Sequence, residues 1–367
     1  MRIYYDHQVC SLQDAGGASR YHYELMRYLS GRPDVETELF LGMNCAVYPY
    51  EELSSANVRV TSFGGPLHKG TLRYASNELL GNSIAPFRGT FDVYHPTHYR
   101  IMPLVRSRRI VVTHHDCIYE RFPVFRHVKE VLRAKKVTFA RADAIICVSE
   151  SGRKDLLRLY DVDIAKTRVI YHGLTPLPRS SASARTLREK LRRDYLLQVG
   201  GRYSYKNFTG LLKAFRETGL YTSFDLLVLG GGPLTREEMD LIARLGLTDG
   251  IISFPVASDT LLAEAYAGAK LFVYPSLWEG FGMPPLEAMG AGCPVAASHI
   301  SAIPEVCRDA PFYFDPADEG SFKSALLRGI NDDEARQRAI ERGREVARMY
   351  RWDKCGEETL ALYRECQ

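Results

Sequence analysis

Short apolar runs alternate with segments of helical period along the chain, and this order restricts its fold more than any other feature. The runs that predict strands are RIYYD, DVYHP, RIVVTHHD, AIICVS and TRVIYHG in the first half, and YLLQVGG, FDLLVLGGG, GIISF, AKLFVYPS and PVAAS in the second. Between them lie amphipathic segments such as ASRYHYELMRYL, whose apolar face is formed by Tyr21, Leu25, Tyr28 and Leu29. Strands that alternate with helices are typical of parallel sheets covered on both faces. The sequence therefore predicts an α/β fold.

The length of the chain and a break in this pattern indicate two domains. The 367 residues exceed the roughly 250–300 at which a single hydrophobic core stops growing. A segment at 174–194, rich in Pro and Ser and then helical, separates the two series of strands. We therefore predict two doubly wound, Rossmann-like domains that face each other across a cleft.

The stretch YPSLWEGFGMPPLEAMGAGCPV at 274–295 has the most detailed local pattern. It begins and ends in apolar runs that are typical of buried strands. Pro284 and Pro285 suit the first turn of a helix, where no backbone N–H is needed, and Gly290 with Gly292 suits its end. The stretch thus predicts a strand, a loop, a short helix and a second strand.

The two glutamates of this stretch indicate a ligand. In an open parallel sheet the crevice lies beyond the carboxyl ends of the strands, where a helix N-terminus offers N–H groups to an anion. Glu279 falls in the loop at that crevice, and Glu287 falls on the first or second turn of the helix. Each carboxylate can accept both hydrogens of a vicinal diol, so the pair suggests a phosphate ligand with hydroxyls on both sides, such as a sugar nucleotide. The alternative is that both are ordinary solvated glutamates.

Two loops of the first domain supply further candidates. Gly16 and Gly17 follow the first strand and precede a helix, where the backbone can approach a phosphate or a sugar closely, although a plain tight turn would look the same. His114, His115 and Asp116 come just past the carboxyl end of another strand. Functional and structural roles are both open for these three residues.

Arg202 and Lys206 follow the first strand of the second domain. Most cations at such a position are solvated, but here Arg could hold a diphosphate as a planar fork and Lys as a point charge. The nearby LVLGGGPL lacks the G-x-G-x-x-G order of a dinucleotide site, and no Walker A sequence occurs.

Composition narrows the class of protein further. With 46% hydrophobic and 25% charged residues the chain is typical of a globular protein. No run approaches the ~18 apolar residues of a membrane span, and the start MRIYYDHQVC lacks the apolar core of a signal peptide. The eight cysteines are scattered without a C-x-x-C pair, which argues against a disulfide framework or a zinc site. We expect a cytoplasmic protein with no bound metal and no nucleic-acid partner.

Six stretches together resemble the successive signatures of the family 4 retaining glycosyltransferases (glycosyl transferases group 1), which have the GT-B fold. They are GGASRY, VVTHHD, VGGRYSYKNF, YPSLWEGFGMPPLEAMGAGCPV, SAIPEV and FYFDP. The resemblance implies an N-terminal acceptor-binding domain at 1–173 and a C-terminal domain at 174–345 that binds the nucleotide sugar. It also implies a C-terminal helix at 346–367 that crosses back to the first domain.

The resemblance implies roles for individual residues as well. Matched by position, Glu279 orients the donor sugar as the first glutamate of the family's E-x7-E motif, and Glu287 holds the ribose hydroxyls as the second. The other donor-site matches are Arg202 and Lys206 on the diphosphate, Gly17 in the N-terminal glycine loop, and Gly280, Phe281, Gly282 and Met283 in the loop before the helix. His115 matches the histidine beside the reacting sugar, so the implied catalytic set is His115, Glu279, Lys206 and Arg202.

Two departures from the family pattern bear on these roles. Arg202 and Lys206 lie four apart, closer than in many relatives, which could displace Arg202 from the phosphate. Pro255 stands where many relatives have glycine, in a loop that usually abuts the base and that includes Phe254 and Val256. The identity of the base is therefore left open.

The implied reaction needs no cofactor beyond the donor substrate. In the family's favoured route to retention, the acceptor hydroxyl attacks from the face that the diphosphate leaves, and that phosphate takes the proton. Cations and a helix N-terminus stabilise the departing charge in place of a metal. We favour GDP-mannose as the donor on overall similarity, with UDP-hexoses next. The expected acceptor is a saccharide, lipid-linked as is common in the family, in the synthesis of a surface polysaccharide such as lipopolysaccharide.

Two rival interpretations remain. One is a metal-dependent GT-A enzyme with a D-x-D motif at Asp161 and Asp163, but these residues precede a strand at its amino end and suit that role poorly. The other is a GT-B enzyme of another class, a sugar-nucleotide epimerase, or an inactive sugar-nucleotide-binding protein. Retention of His115, Lys206 and both glutamates argues against an inactive binder.

Residues 100–141 are strongly basic, with eleven Lys or Arg and three Asp or Glu, a net charge of +8 in a chain whose total is +4. In the helical part, one face carries Arg126, Lys129, Arg133 and Lys136. This face is either merely solvated or attracted to an anionic membrane surface, where each Lys or Arg contributes about 1 kcal/mol. We therefore predict peripheral association with the inner face of the plasma membrane.

Overall fold

The computed structural model describes residues 1–13, 16–44, 46–63, 70–122, 127–178, 187, 190–254 and 258–366. The chain divides into two compact units, the first formed by Met1–Gly173 with Arg351–Gln367 and the second by Leu174–Tyr350. Each unit contains one sheet, and every strand pair in both sheets is parallel.

The first unit has a seven-stranded sheet in the order β3-β2-β1-β4-β5-β6-β7. Its strands are β1 (Arg2–Tyr5), β2 (Glu36–Gly42), β3 (Val58–Ser62), β4 (Thr90–His95), β5 (Arg106–His114), β6 (Ala144–Cys147) and β7 (Thr167–Val169). Its helices are α1 (Gln8–Leu12), α2 (Gly17–Ser30), α3 (Gly70–Ile84), α4 (Ile118–Arg121), α5 (Val128–Arg141), α6 (Glu150–Leu159) and a C-terminal helix (Trp352–Glu365). Short 3-10 turns occur at Tyr50–Leu53, Ala85–Phe87 and Ile164–Lys166.

The second unit has a six-stranded sheet in the order β10-β9-β8-β11-β12-β13. Its strands are β8 (Tyr195–Val199), β9 (Asp225–Leu229), β10 (Ile251–Phe254), β11 (Leu271–Tyr274), β12 (Val295–Ser298) and β13 (Phe312–Phe314). Its helices are α7 (Phe208–Glu217), α8 (Arg236–Arg244), α9 (Asp259–Gly268), α10 (Met283–Gly290), α11 (Ile303–Cys307), α12 (Glu319–Asn331) and α13 (Asp333–Ala347). Short 3-10 turns occur at Ser204–Lys206, Leu220–Thr222 and Thr248–Gly250.

The central strands of the second sheet are buried on both faces, which explains their continuous apolar runs. Every residue of β8, β9 and β11 is buried, and the core on one side continues through α7 and α12. Phe314 at the end of β13 stacks on Phe322 of α12 with ring centroids 4.0 Å apart. Parallel strands joined by crossover helices need such two-sided burial, so strand identity is readable from the sequence here.

All ten runs predicted as strands contain strands, but β2, β3 and β13 were not predicted as such. β3 lies at the sheet edge and is partly exposed, so its sequence VRVTS carries little apolar signal. The helix predicted from Pro284, Pro285 and Gly290 is confirmed as α10, which begins at Met283 with proline in its first turn.

The sequence-based boundary at 346 is wrong by five residues. Residues 346–350 belong to the second unit, and the chain returns to the first unit at Arg351. The physical reason is burial: Val346 and Ala347 end α13 within the second unit. Tyr350 packs its ring on Phe281 and donates its hydroxyl to the carbonyl of Val306 at 2.9 Å.

A buried chain of hydrogen bonds attaches the C-terminal helix to the first sheet. The Tyr363 hydroxyl lies 2.7 Å from the Tyr5 hydroxyl and 2.5 Å from His95 Nδ1. His95 Nε2 lies 2.9 Å from Thr113 Oγ1, which is 3.0 Å from the Tyr21 hydroxyl. A buried polar group without a partner lowers the stability of the fold, so these hydrogen bonds fix the helix in one position on the unit.

The seven cysteines within the described ranges are all free, and Cys45 lies outside those ranges. Among the described helices, none is both long enough and apolar enough to cross a bilayer.

Histidines cluster in the interior of the first unit. The rings of His22 and His95 lie 5.4 Å apart, and those of His115 and His172 stack at 5.9 Å. Burial lowers the pKa of His95 to about 3, with a smaller contribution from His115. Burial also lowers the pKa of His115 to about 4, and the pKa values of His22 and His172 lie well below the usual value. These imidazoles are therefore neutral in the folded protein at pH 7.

We predict that the free energy of unfolding falls as the pH is lowered from about 6.5 towards 4. Over this range the unfolded histidines, with an ordinary pKa near 6.5, take up protons that the folded protein excludes. Each such group gives a slope of up to about 1.4 kcal/mol per pH unit. Urea unfolding midpoints at pH 7.5, 6.5, 5.5 and 4.5 measure this slope.

Two variants test the origin of the slope. His22→Leu removes one buried imidazole and should flatten the dependence, whereas His299→Gln changes an exposed histidine of the second unit and should leave it unchanged. An unaltered slope in His22→Leu would contradict this explanation.

Candidate functional site

The second sheet opens a crevice where its strand order reverses, between β8 and β11. These strands pair side by side, with Leu196 opposite Leu271 and Leu197 opposite Phe272. The connections that leave them run to opposite sides of the sheet, so the loops at 200–207 and 275–282 border one crevice at the carboxyl edge. Most of the predicted donor residues lie in these two loops.

Lys206 and Glu279 meet in this crevice. Lys206 Nζ lies 2.6 Å from Glu279 Oε1 and donates to the Tyr274 hydroxyl at 3.1 Å. The 3-10 turn Ser204–Lys206 places the lysine, and Asn207, at φ 53°, ends that turn and caps α7. The Glu279 amide donates to Ser301 Oγ at 2.9 Å, which fixes the other loop.

The pair is largely removed from water. The Lys206 side chain is 17% exposed and the Glu279 side chain 8% exposed. Burial raises the pKa of Tyr274 well above its usual value, and the Glu279 carboxylate beside it acts in the same direction. Tyr274 is therefore a neutral hydroxyl beside the charged pair of Lys206 and Glu279.

The loop after Glu279 leads into the N-terminus of α10. Gly282, at φ 96°, takes the position before the helix, where a left-handed conformation favours glycine. Phe281 is buried against Tyr350. Within the described part of the chain, the amides of Gly282 and Met283 have no hydrogen-bond acceptor. A turn that ends in such amides is suited to an anion.

Glu287 lies on the second turn of α10 and is 9% exposed. Its Oε2 accepts a hydrogen bond from the Tyr266 hydroxyl at 3.3 Å. The two glutamates thus have different partners: Glu279 pairs with a cation, whereas Glu287 is held by a neutral hydroxyl.

Arg202 does not join Lys206. Its guanidinium donates to Glu238 Oε1 at 2.9 Å and to carbonyls of the loop Gly230–Pro233. Its side chain is 3% exposed. The structure therefore places the two predicted diphosphate cations in different surroundings.

The loop predicted to abut the base is described only in part. Phe254 ends β10, its carbonyl accepts from the Gly230 amide at 2.8 Å, and the Lys190 ammonium lies 4.7 Å from its ring centroid. Val256 and Pro255 lie outside the described residues.

Sequence reasoning did not identify the residues that hold the site residues in place. Lys206 contacts Tyr274, and Glu279 contacts Ser301. Glu287 contacts Tyr266, and Arg202 contacts Glu238. Tyr274 ends a strand, where a polar atom faces the crevice, and that position was its only sequence signal. Ser301 begins the stretch SAIPEV, but that stretch does not indicate its contact with Glu279. Tyr266 and Glu238 have no sequence signal, since their partners are distant in the chain.

The first unit carries the remaining predicted residues. Gly17 begins α2, and the more crowded position is Gly16, where an added Cβ would lie 2.0 Å from Gln13 Oε1. His115 follows β5, with its ring 5.5 Å from that of Tyr21. Asp116 accepts from the Ile118 amide at 3.0 Å, a structural role at the start of α4.

A cavity of about 1090 Å³ opens where the order of the first sheet reverses, between β1 and β4. Its lining includes Gln8, Tyr74, Glu78, Arg100, Met102 and Val131. Arg100 makes a bidentate ion pair with Glu78 at 2.8 and 2.7 Å, and Gln8 donates to the Tyr74 hydroxyl at 2.8 Å. Gln8 Oε1 is buried and accepts no hydrogen bond from the described residues. The cavity therefore combines a polar floor with apolar walls.

The basic face of α5 is exposed. Lys129, Arg133 and Lys136 are all exposed on this helix, while Lys135 is buried in an ion pair with Glu120. Arg126, predicted on the same face, lies outside the described residues. Arg141, in the last turn, contacts the carbonyl of Ile101, and both Ile101 and Met102 are exposed apolar residues beside the cavity.

Asp161 and Asp163 precede β7, at its amino end. Asp163 caps the 3-10 turn Ile164–Lys166 by accepting from the Ala165 amide at 2.9 Å. Among the described residues, no group of three or more His, Cys, Asp or Glu could hold a metal ion.

Comparison with known proteins gives consistent matches over both units. The sequence matches a family model described as Glycosyl transferases group 1 over residues 181–346 and one described as Glycosyltransferase Family 4 over residues 15–176. The O-antigen chain mannosyltransferase B of Escherichia coli is 30% identical over 283 residues, which cover 74% of this chain and 74% of that protein.

Solved structures match almost the full length. Sucrose-phosphate synthase from Thermosynechococcus elongatus superposes with a TM-score of 0.77 at 20% identity, covering 99% of this chain and 98% of that one. The Anabaena protein Alr3699/HepE, solved in complex with UDP-glucose, superposes with a TM-score of 0.72 at 18% identity, covering 98% of this chain and 99% of that one. At these identities the likeness concerns the fold.

Proposed function

Since this chain belongs to the glycosyl transferases group 1 and has the GT-B fold, we propose that it moves a hexose, with retention of configuration, from a nucleoside diphosphate sugar to a saccharide acceptor. The observation that carries the proposal is the partly buried pair of Lys206 and Glu279 at the reversal of the second sheet. A cation and a diol acceptor, in the loops that border one crevice, match the two ends of a sugar diphosphate.

Donor binding exchanges the partners of this pair. In the structure, Glu279 neutralises Lys206 directly. A bound donor offers its diphosphate to Lys206 and its sugar hydroxyls to Glu279, so each charged group gains a ligand partner as the internal pair separates. Glu287, whose Oε2 accepts a hydrogen bond from the Tyr266 hydroxyl, takes the ribose hydroxyls.

The reaction follows from where negative charge develops. As the bond between sugar and phosphate breaks, charge builds on the diphosphate, and Lys206 with the amides of Gly282 and Met283 stabilises it. The acceptor hydroxyl attacks from the face that the diphosphate leaves, and the departing phosphate takes its proton. His115, neutral because burial lowers its pKa to about 4, can donate or accept one hydrogen bond without adding charge.

GDP-mannose is the favoured donor, and UDP-hexoses follow. The similarity to an O-antigen chain mannosyltransferase supports mannose and a role in surface polysaccharide synthesis. A protein with the same fold has been solved in complex with UDP-glucose, so UDP-hexoses are the second candidate donors. The acceptor saccharide is assigned to the cavity between β1 and β4, whose polar floor suits hydroxyls and whose exposed Ile101 and Met102 suit a lipid tail.

A sugar-nucleotide epimerase is the alternative. Release of free nucleoside diphosphate only in the presence of an acceptor would establish transfer, whereas a new sugar nucleotide without net release of diphosphate would establish epimerisation.

We predict that the two glutamates affect different steps. Glu287→Ala should weaken the binding of GDP and of GDP-mannose alike, since both contain ribose. Glu279→Ala should impair turnover of GDP-mannose while leaving GDP binding nearly intact. Each charged hydrogen bond lost corresponds to roughly 1.5–3 kcal/mol. Thermal-shift titrations with GDP, UDP and their hexoses measure binding, since a ligand raises stability by RT ln(1 + [L]/Kd).

Glu341→Ala, at an exposed position on α13, is the matched control and should change neither quantity. An equal loss of GDP binding in the Glu279 and Glu287 variants would disprove this division of roles. No stabilisation of the unmodified protein by any sugar nucleotide would count against a donor site altogether.

We also predict that turnover does not require a divalent metal. The charge on the leaving diphosphate is assigned to Lys206 and backbone amides, so activity should survive EDTA. Lys206→Ala should lower turnover by about 10²–10³-fold, the usual effect of removing one preorganised stabiliser. Lys213→Ala, an exposed lysine on α7, is the control. Loss of activity in EDTA that manganese restores would contradict the assignment.

The exposed face of Lys129, Arg133 and Lys136 leads us to propose that α5 docks on an anionic membrane, beside the acceptor cavity. Within the described residues these three side chains have no acidic partner, so their charge is available to lipid headgroups. Ile101 and Met102, 41% and 63% exposed, lie between β4 and β5, where the Ile101 carbonyl contacts Arg141 in the last turn of α5, and they can enter the headgroup layer.

We predict co-sedimentation with anionic vesicles and not with neutral ones, weakening as salt screens the charges. Reversal of Lys129, Arg133 and Lys136 to Glu should abolish it. The matched control reverses Lys213, Arg236 and Arg244, three exposed cations of the second unit, and should retain binding. Binding that ignores lipid charge, or that survives the α5 reversal, would favour a merely solvated helix face and a water-borne acceptor.

A further inference from the structure

We propose that Arg202 is a positioning residue that holds the glycine loop Gly230–Pro233 in its conformation, and that it does not bind the donor's diphosphate. The inference rests on the proposed function only in that the loop lies in the unit assigned to the nucleotide. Of the two cations in VGGRYSYKNF, Arg202 then has a structural role and Lys206 binds the phosphate.

The hydrogen bonds of Arg202 show what the guanidinium does. Its Nε donates to Glu238 Oε1 at 2.9 Å, and Nη1 donates to the Gly230 carbonyl at 2.8 Å. Its Nη2 lies 2.8 Å from the Pro233 carbonyl and 3.1 Å from that of Gly232. All three nitrogens are therefore engaged within the protein. A diphosphate would have to displace several good acceptors to reach them.

The loop itself needs such a group. The loop has three successive residues in the left-handed backbone conformation, which only glycine adopts readily. They are Gly230, Gly231 and Gly232, with φ values of 80°, 74° and 77°. Several of their carbonyls converge on one guanidinium. Carbonyl oxygens that point to one place repel each other, so a cation among them stabilises this conformation. The planar guanidinium of arginine can donate hydrogen bonds to several acceptors in one plane at once. A lysine ammonium cannot, because its three donors do not lie in one plane.

The arrangement also leaves no room for side chains. A Cβ on Gly231 would lie 2.8 Å from Arg202 Nη1, 2.8 Å from the Gly200 carbonyl and 3.1 Å from Gly201 Cα. The glycine loop after β9 therefore packs directly on the backbone after β8, the same loop that carries Lys206. The two backbone segments can approach this closely because glycine has no side chain.

The loop connects three strand ends on one side of the sheet reversal. The Gly200 amide donates to the carbonyl of Leu229, and the Gly230 amide donates to that of Phe254, both at 2.8 Å. Arg202 thus fixes the ends of β8, β9 and β10 relative to one another. Arg202 would therefore affect nucleotide binding by fixing the conformation of the strand ends and loops beside the crevice, and not by contacting the charged phosphates.

Lys206 differs from Arg202 in each of these respects. Its side chain is 17% exposed against 3% for Arg202, and its partners are one carboxylate and one hydroxyl. Lys206 is therefore the cation of the pair that can turn to a phosphate.

The first experiment uses the protein without nucleotide. Amide hydrogen exchange in the peptide that spans 229–234 should become at least about tenfold faster in Arg202→Gln and in Glu238→Gln, because either change removes part of the clamp. Thr235→Ala is the matched control: it removes the Thr235 cap of α8 and leaves the contact of Arg202 with Glu238. Unchanged exchange of this peptide in both clamp variants would overturn the proposal, whatever the protein binds.

The second experiment separates positioning from phosphate binding. The ratio of Kd for GMP to Kd for GDP reports what the second phosphate contributes. Arg202→Gln should weaken both nucleotides by the same factor and keep this ratio within about twofold, whereas Lys206→Gln should bring the ratio close to one. Arg202→Lys, which keeps the charge and loses the fork, should behave like Arg202→Gln in both exchange and binding.

A phosphate-binding arginine would give the opposite result: a reduced ratio in Arg202→Gln, substantially restored in Arg202→Lys. That outcome would overturn the inference. Should the unmodified protein bind UDP and UMP in place of GDP and GMP, the same ratio is taken with those nucleotides. Should it bind neither pair, the proposed function fails, while the exchange measurement still decides the role of Arg202.

Discussion

Parallel strands must be joined by crossovers, and this constraint determines where the chain can place polar chemistry. The central strands of the second sheet are buried on both faces, so polar side chains are confined to the strand ends and the loops. At the carboxyl edge, the reversal between β8 and β11 is the place where the covering connections diverge. Lys206, Glu279 and the start of α10 all owe their position to that reversal.

The charges near this crevice are balanced within the protein. Lys206 is opposed by Glu279, and Arg202 by Glu238 and a set of carbonyl dipoles. A buried cation with no partner would strongly destabilise the fold, since desolvation penalises the charged form. The two solutions differ in permanence. Glu279 can exchange its cation for sugar hydroxyls, whereas Arg202 is held by several acceptors at once.

Local sequence rules predicted the elements whose signals are local. Two prolines in a first turn and a glycine at the end specify α10, and uninterrupted apolar runs specify the buried strands. The edge strand β3 was missed because partial exposure leaves it without a strong apolar pattern. The boundary near 346 was misplaced because no proline or glycine marks the end of α13, and the burial of Val346 and Ala347 with the packing of Tyr350 places it.

The candidate residues were predictable to a similar extent. Strand-end position and residue type led to Lys206 and Glu279, and the structure brings these two together. The surroundings of Arg202 could not be predicted, since its acceptors lie about thirty positions away and most are backbone carbonyls. A backbone carbonyl has no signal in the sequence, because every residue has one.

The hydrogen-bonded chain from Tyr363 to Tyr21 has a consequence for synthesis of the protein. The first unit is incomplete until Trp352–Glu365 is made, because Tyr5 and His95 depend on the Tyr363 hydroxyl. The 177 residues of Leu174–Tyr350 are translated in between. At about 5–20 residues per second this takes roughly 9–35 seconds, in which the first sheet exists without its last helix. The unit that starts first is therefore finished last, and the surface that the C-terminal helix covers in the folded unit stays exposed during that interval.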